Sequence, residues 1–235
     1  MMKKHFTILS LILLVSCQGA HQFTVNHYGV LREIMRKQKL DPNANLQTYA
    51  RNKNLYALGA LEGLSGEIIV IGGKAYHGLI DNDQLQVTRG FDYKATLLVT
   101  AEVKAWTELA LDLEWSNLSE LETHIKEAAQ QLGLDVSQPF PFRLKGTVDQ
   151  IDWHIINAPA ARSQNHDAYR EAGAHGRENN ATGQLLGFYS EQHEGVFTHH
   201  GSYLHTHWLS EDKKLVAHID GLAHNGKITL LLPKP

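Results

Sequence analysis

Short apolar runs separated by polar or glycine-rich breaks fill most of this chain, and apolar residues recur at every second position in several of them. That period marks strands. Glu67–Ile71 and Lys74–Ile80 flank Gly72-Gly73, the signature of a two-residue hairpin. Ahead of them, Gly59, Gly63 and Gly66 predict a tight, irregular lead into the strand at Glu67. Lys94–Trp106 carries the apolar content of a buried strand, and Phe142–Val148 alternates as a strand does. Ile151–Ile156, Leu185–Tyr189 and Lys227–Leu232 read as further strands. A helical period appears at 27–38, with Tyr28, Leu31, Ile34 and Met35 on one face, and a shorter helix is expected over 44–54. The clearest helix spans 117–133. Its stripe is Leu118, Leu121, Ile125, Ala128 and Leu132, a Ser119/Glu122 capping box starts it, and Gly133 stops it. Polar residues 160–183 and 191–201 read as long loops. Strands outnumber helices, so the expectation is an α/β chain of the β-rich, α+β kind.

One predicted hairpin carries chemistry. Tyr203–Leu209 and Val216–Asp220 are apolar-rich and separated by a polar stretch. With a loop over Glu211–Lys214, residues whose numbers sum to 425 lie opposite each other. His207 then faces His218 and His205 is their diagonal neighbour, with Cβ separations of about 5 and about 7 Å. Three imidazoles so placed can converge on one ion. The other reading is a strand bearing solvated or hydrogen-bonded histidines, in a chain that holds 15 of them. His193, His199 and His200 are read as loop residues near the site, not ligands.

Two charged residues sit on patterned strands. Glu67 shares a face with Ile69 and Ile71, which suits a paired structural acid or a site acid with a raised pKa. Arg143 and Lys145 lie opposite Phe142 and Leu144. This is a solvated basic face, or a guanidinium placed for a substrate carboxylate.

Composition narrows the classes. With 235 residues, 43% hydrophobic and 20% charged, the chain suits one large domain or two small lobes. A net charge of -3 gives no electrostatic footprint for nucleic acid, and no such partner is expected. The single cysteine, Cys17, excludes an internal disulfide. It follows a basic start and the apolar run Phe6–Val15, which is too short to span a bilayer. Leu14-Val15-Ser16-Cys17 resembles a bacterial lipobox. The alternatives are an ordinary signal peptide and a buried apolar segment. The lipobox reading implies a signal peptide at 1–16, lipidation of Cys17, a linker at 17–26 and a folded domain at 27–235. Contact with membrane is then through the lipid anchor alone, in the bacterial cell envelope, and Gln18 points to outer-membrane sorting.

Three segments give the chain a resemblance to the bacterial α-acetolactate decarboxylase family over about Leu31 to Asp220. They are Leu58–Glu67, Phe142–Gly146, and Gly187-Phe188-Tyr189 followed by Tyr203–Trp208 and His218-Ile219-Asp220. The resemblance implies two mixed β-sheet lobes with a metal between them, in a homodimer. It makes His205, His207 and His218 zinc ligands, and Glu67 and Arg143 the acidic and basic site groups. Two departures stand out. The family usually has Thr where this chain has Ala60. It also brings a glutamate from its C-terminal tail to the metal, whereas no Glu follows Glu211 here.

The implied reaction is zinc-dependent decarboxylation of (S)-2-acetolactate, a small hydroxy-keto acid, to acetoin and CO2. Arg143 would orient the carboxylate and Glu67 would supply the proton. Zn2+ is the cofactor, and no organic one is needed. The alternatives are a lyase on a different 2-hydroxy-3-oxo acid, and a metal- or ligand-binding surface lipoprotein of the same fold.

Overall fold

A computed structural model describes residues 23–235. The expected signal peptide and Cys17 lie outside them. The described chain runs β1 (Val25–Tyr28), α1 (Leu31–Lys37), β2 (Ala44–Asn45), β3 (Leu55–Leu61), β4 (Glu67–Ile71), β5 (Lys74–Asp81), β6 (Gln84–Arg89) and β7 (Lys94–Glu102). It continues with β8 (Trp106–Trp115), α2 (Leu118–Leu132), β9 (Phe140–Ile155), α3 (His166–Glu171), β10 (Ala174–Tyr189), β11 (Leu204–Ser210) and β12 (Val216–Pro233). Among the described residues no helix is long and apolar enough to cross a membrane.

The strands form two sheets. The first has the order β1-β7-β3-β4-β5-β6, with β2 on β7. The second has the order β11-β10-β9-β12-β8, and β11 also pairs with β12. That extra pairing closes β9, β10, β11 and β12 into a ring. The fold is the β-rich α+β class expected, but its strand ladders are antiparallel where mixed sheets were expected.

Turn chemistry sets the first sheet's register. Gly72 and Gly73 both have positive φ, 56° and 70°, as a two-residue hairpin of twisted strands needs. Asn82 and Asp83 do the same between β5 and β6 at 49° and 58°. The first sheet is apolar on both faces. Leu58, Ile69 and Val99 join the main core with Phe142, Leu144 and Ile125, while Ile68, Val70 and Leu98 pack on the far side. Ala60, Leu64, Leu97 and Ile156 form a third cluster under α1 and α3.

Several elements differ from the sequence expectation. β1 begins at Val25, inside the expected linker, because Val25–Tyr28 pairs with β7. The helix expected at 27–38 is shortened to α1 by that pairing. The expected helix at 44–54 reduces to a strand pair and a 3-10 turn at Leu46–Tyr49. Leu58–Leu61 is itself strand, not an irregular lead. The two strands expected at 142–148 and 151–156 are one, β9, and residues 160–183 hold α3 and half of β10 instead of a loop. The cap of α2 is Asn117, whose side chain accepts from the Glu120 backbone N–H at 3.0 Å. Glu120 in turn accepts from Ser116 N–H at 2.8 Å, so the capping box lies two residues before the expected one. Glu122 instead accepts from Tyr203 N–H at 2.7 Å, which ties α2 to the start of β11.

Candidate metal centre

The hairpin register is the one that the sequence predicts. His207 pairs with His218, Trp208 with Ala217 and Leu209 with Val216. All three histidines are buried: His205 is 4% exposed, His207 0% and His218 8%. One ligand atom from each lies within 4.8 Å of the others. Nε2 of His207 is 3.2 Å from Nε2 of His205. Two nitrogens held by one tetrahedral ion at about 2.0–2.1 Å stand about 3.3 Å apart, so this spacing fits a shared ion. Nδ1–H of His207 donates to the Ile68 carbonyl at 2.9 Å, which fixes the tautomer and leaves the Nε2 lone pair for the site.

Electrostatics agree. Burial drives the His207 pKa down to about 3. Burial first, then neighbouring imidazoles, holds His205 and His218 well below the usual value. At neutral pH the trio is uncharged, the form that ligates metal. Imidazole donors suit zinc and other first-row ions.

The first sheet supplies the carboxylate. Glu67 opens β4 and is 4% exposed, with Oε2 at 3.5 Å from His207 Nε2. Its Oε1 accepts from the Ile156 backbone N–H at 3.1 Å. Burial raises its pKa to about 7 against the pull of His154 and of that N–H. A carboxyl so placed can hold a proton near neutrality.

A small cavity of about 40 Å³ adjoins these groups. Leu31, Ile34, Met35, Leu64 and Leu97 make its apolar side, and Glu67, His154, His166, His199, His205 and His218 its polar side. An outer cavity of about 210 Å³ shares His166, His199 and His218 with it and reaches Asp220. The loop after β10 is anchored over this region: Leu31 N–H donates to the Val196 carbonyl at 2.8 Å and Arg32 N–H to Gly195 at 2.9 Å.

Residues 31–231 match the family of alpha-acetolactate decarboxylases. The chain belongs to the alpha-acetolactate decarboxylase family. No curated protein matches it. Its fold is similar to that of acetolactate decarboxylase from Bacillus subtilis subspecies spizizenii, with TM-score 0.69 and 14% identity, over 90% of this chain and 87% of that one. The enzyme from Bacillus subtilis strain 168 gives TM-score 0.68 at 14% identity, over 90% and 86%. A Staphylococcus aureus protein of unknown function, similar to alpha-acetolactate decarboxylase, gives 0.67 at 16%, over 88% and 84%.

Within this decarboxylase-family chain the sequence-predicted site residues divide. His205, His207, His218 and Glu67 come together, but Arg143 does not line the cavity. Arg143 pairs with Leu186, and Leu186 with His207, so it lies two strands, about 10 Å, from the trio. Its Nη2 donates to Gln184 at 2.5 Å, and its guanidinium lies 5.4 Å from the centroids of both Tyr56 and Trp106. That packing sets the guanidinium at the contact between the sheets, outside the lining of the small cavity.

Of three further cavity histidines, His154 and His166 had no assigned role in the sequence, and His199 was read as a loop residue near the site. His154 stands opposite His218 on β9, with ring centroids 4.9 Å apart. Its Nδ1–H donates to Asp220 at 2.9 and 3.0 Å. His166 and His199 come from α3 and the loop before β11. His199 is held down to about 4 by burial and by His166 and His154. No period signalled His154, because its partner Asp220 is the extra residue of a bulge in β12. Burial pushes its carboxyl up, but the His154 hydrogen bond and nearby positive charges hold it low.

Proposed function

We propose that this chain is a zinc-dependent carboxy-lyase that converts (S)-2-acetolactate to acetoin and CO2. The observation that carries this reading is the trio of neutral imidazoles beside a buried carboxyl group, 3.5 Å from His207, in a family of decarboxylases. His205, His207 and His218 would hold the zinc, which would supply Lewis-acid polarisation of the substrate. The chain's own residues do the rest. The apolar side formed by Leu31, Ile34, Met35, Leu64 and Leu97 takes the methyl groups and excludes water. The bond between the carbinol carbon and the carboxylate breaks, CO2 leaves, and the electron pair moves toward the ketone oxygen. Glu67 then gives its proton to that carbon and regains one from solvent.

The second reading is a metal-binding surface protein of the same fold without the decarboxylase step. It is favoured by one observation: no Lys or Arg lines the small cavity. In either case we place the protein in the cell envelope as a homodimer held by lipidated Cys17. Palmitate labelling lost in Cys17→Ala tests the anchor, and light scattering tests the dimer.

The deciding experiment measures bound zinc and acetoin release for the purified mature domain. One zinc per chain with acetoin release, both abolished by His207→Ala, supports the enzyme. Zinc binding without acetoin supports the second reading, and a chain that binds no divalent metal ends both.

A further inference from the structure

Arg143 leaves a polar role in the site unfilled, and His154 is the side chain built to fill it. β9 sets His154 directly across from His218, so its ring stands beside the trio. It lines the same small cavity as Glu67, His205 and His218. The β9–β12 ladder carries a bulge at this point. Ile219 pairs with Trp153 and Gly221 with Asp152, which leaves Asp220 as the extra residue. Bulges re-aim side chains, and this one sets both Asp220 oxygens 2.9 and 3.0 Å from His154 Nδ1. Arg170 holds Asp220 from the other side at 3.3 Å. The Nδ1 edge of His154 is therefore committed to Asp220, and Nε2 is the ring nitrogen left for a ligand in the cavity.

We infer that His154, oriented by Asp220, accepts a hydrogen bond from the 2-hydroxyl group of the substrate and so selects 2-hydroxy-3-oxo acids over simple 3-oxo acids. This rests on the proposed lyase reading. It gives Asp220 a positioning role and deepens the substrate class: the hydroxyl is recognised, not merely tolerated. A buried acceptor left without its donor penalises the analogue that lacks the hydroxyl.

The test crosses enzyme variant with substrate variant. The zinc-loaded wild type, His154→Leu and Asp220→Asn are assayed with 2-acetolactate and with 2-methyl-3-oxobutanoate, each corrected for spontaneous decarboxylation. His154→Leu is expected to lower kcat/KM for acetolactate by about 100-fold and to raise it for the substrate without the hydroxyl, whose penalty the change removes, with zinc stoichiometry kept. Asp220→Asn, which preserves volume, is expected to lose the same discrimination in part, and it serves if His154→Leu fails to fold. Equal losses on both substrates, retained discrimination, or loss of zinc would each overturn the inference. Calorimetric binding of 2-hydroxy-2-methylpropanoate against 2-methylpropanoate reads the same contrast without turnover. A protein that decarboxylates nothing therefore refutes the proposed function, while the binding contrast still decides the role of His154.

Discussion

Gly78 is where the two sheets touch most closely beside the site, and Gly78→Ala should separate them. Gly78 pairs with Glu67 across the β4–β5 ladder. A Cβ built on it would lie 1.9 Å from the Val216 carbonyl oxygen and 2.9 Å from the Val216 carbonyl carbon. Real Cβ contacts essentially never fall under 3.0 Å, so β12 must retreat from β5 by about 1.1 Å. Gly78 is not among the positive-φ glycines, so alanine meets no backbone penalty and the contact alone is tested. Overpacking against a backbone atom costs about 3 kcal/mol, which for a domain of this size lowers Tm by roughly 6–12 °C.

The same retreat reaches the chemistry. Val216 is two residues from His218 and pairs with Leu209, two residues from His207. Were the whole shift to fall between Glu67 and His207, their 3.5 Å separation would open to about 4.6 Å. Urea unfolding, zinc stoichiometry and acetoin release measure the three consequences: lower stability, retained zinc and reduced kcat. Gly221→Ala is the control. Its Cβ would meet the Asp152 carboxylate at 3.0 Å, a side chain tied to the exposed Arg177 and able to shift with it, so it should cost about 1 kcal/mol. A Gly78→Ala protein as stable as the wild type would refute the close approach of the sheets.

Arg143→Met should lower stability by about 2 kcal/mol through lost ring and Gln184 contacts, with kcat unchanged. A large loss of acetoin release at unchanged stability would return Arg143 to the site. His77 is buried, donates from Nε2 to the Gly90 carbonyl at 2.8 Å, and burial lowers its pKa from 6.5. The unfolded chain therefore binds this proton first. Stability from His77 is complete above pH 6.5 and falls as pH drops toward the folded value, by up to about 1.4 kcal/mol per pH unit. Urea midpoints of the metal-free protein at pH 7.5 and 5.5 should fall less in His77→Gln than in the wild type. Asn117→Ala should cost about 1 kcal/mol at the start of α2, read as a lower urea midpoint, while Ser119→Ala should change it little.

Period and turn chemistry made the local structure legible where they acted alone. The 203–220 hairpin is the clear case, because a fixed loop length sets register and register sets which histidines meet. Gly72-Gly73 did the same for the Glu67 strand. Sequence reasoning failed where long-range pairing overrode the local pattern. The first half of β10 is polar and largely exposed, so it reads as loop, yet it is held as strand by the second half of β9. Arg143 failed differently: a strand pattern gives the face of a residue but not which neighbour meets its far end. His154 was invisible because its partner Asp220 is aimed by a bulge, and a bulge has no period.

Ala60, where the resemblance implies Thr, bears on the buried carboxyl group of Glu67. Ala60 pairs with Glu67 across the β3–β4 ladder and is 7% exposed, so a Thr at this position would set a hydroxyl beside the Glu67 backbone. With Ala there, one hydrogen-bond donor near the buried acid is gone, and burial has that much less opposition in raising its pKa. Facing it in the cavity is the imidazole edge of His154, backed by Asp220. On the proposed lyase reading, a buried acid and an oriented imidazole are the groups that meet a small hydroxy acid. What has changed is the pattern of donors and acceptors around it, and substrate preference is where that change should be read.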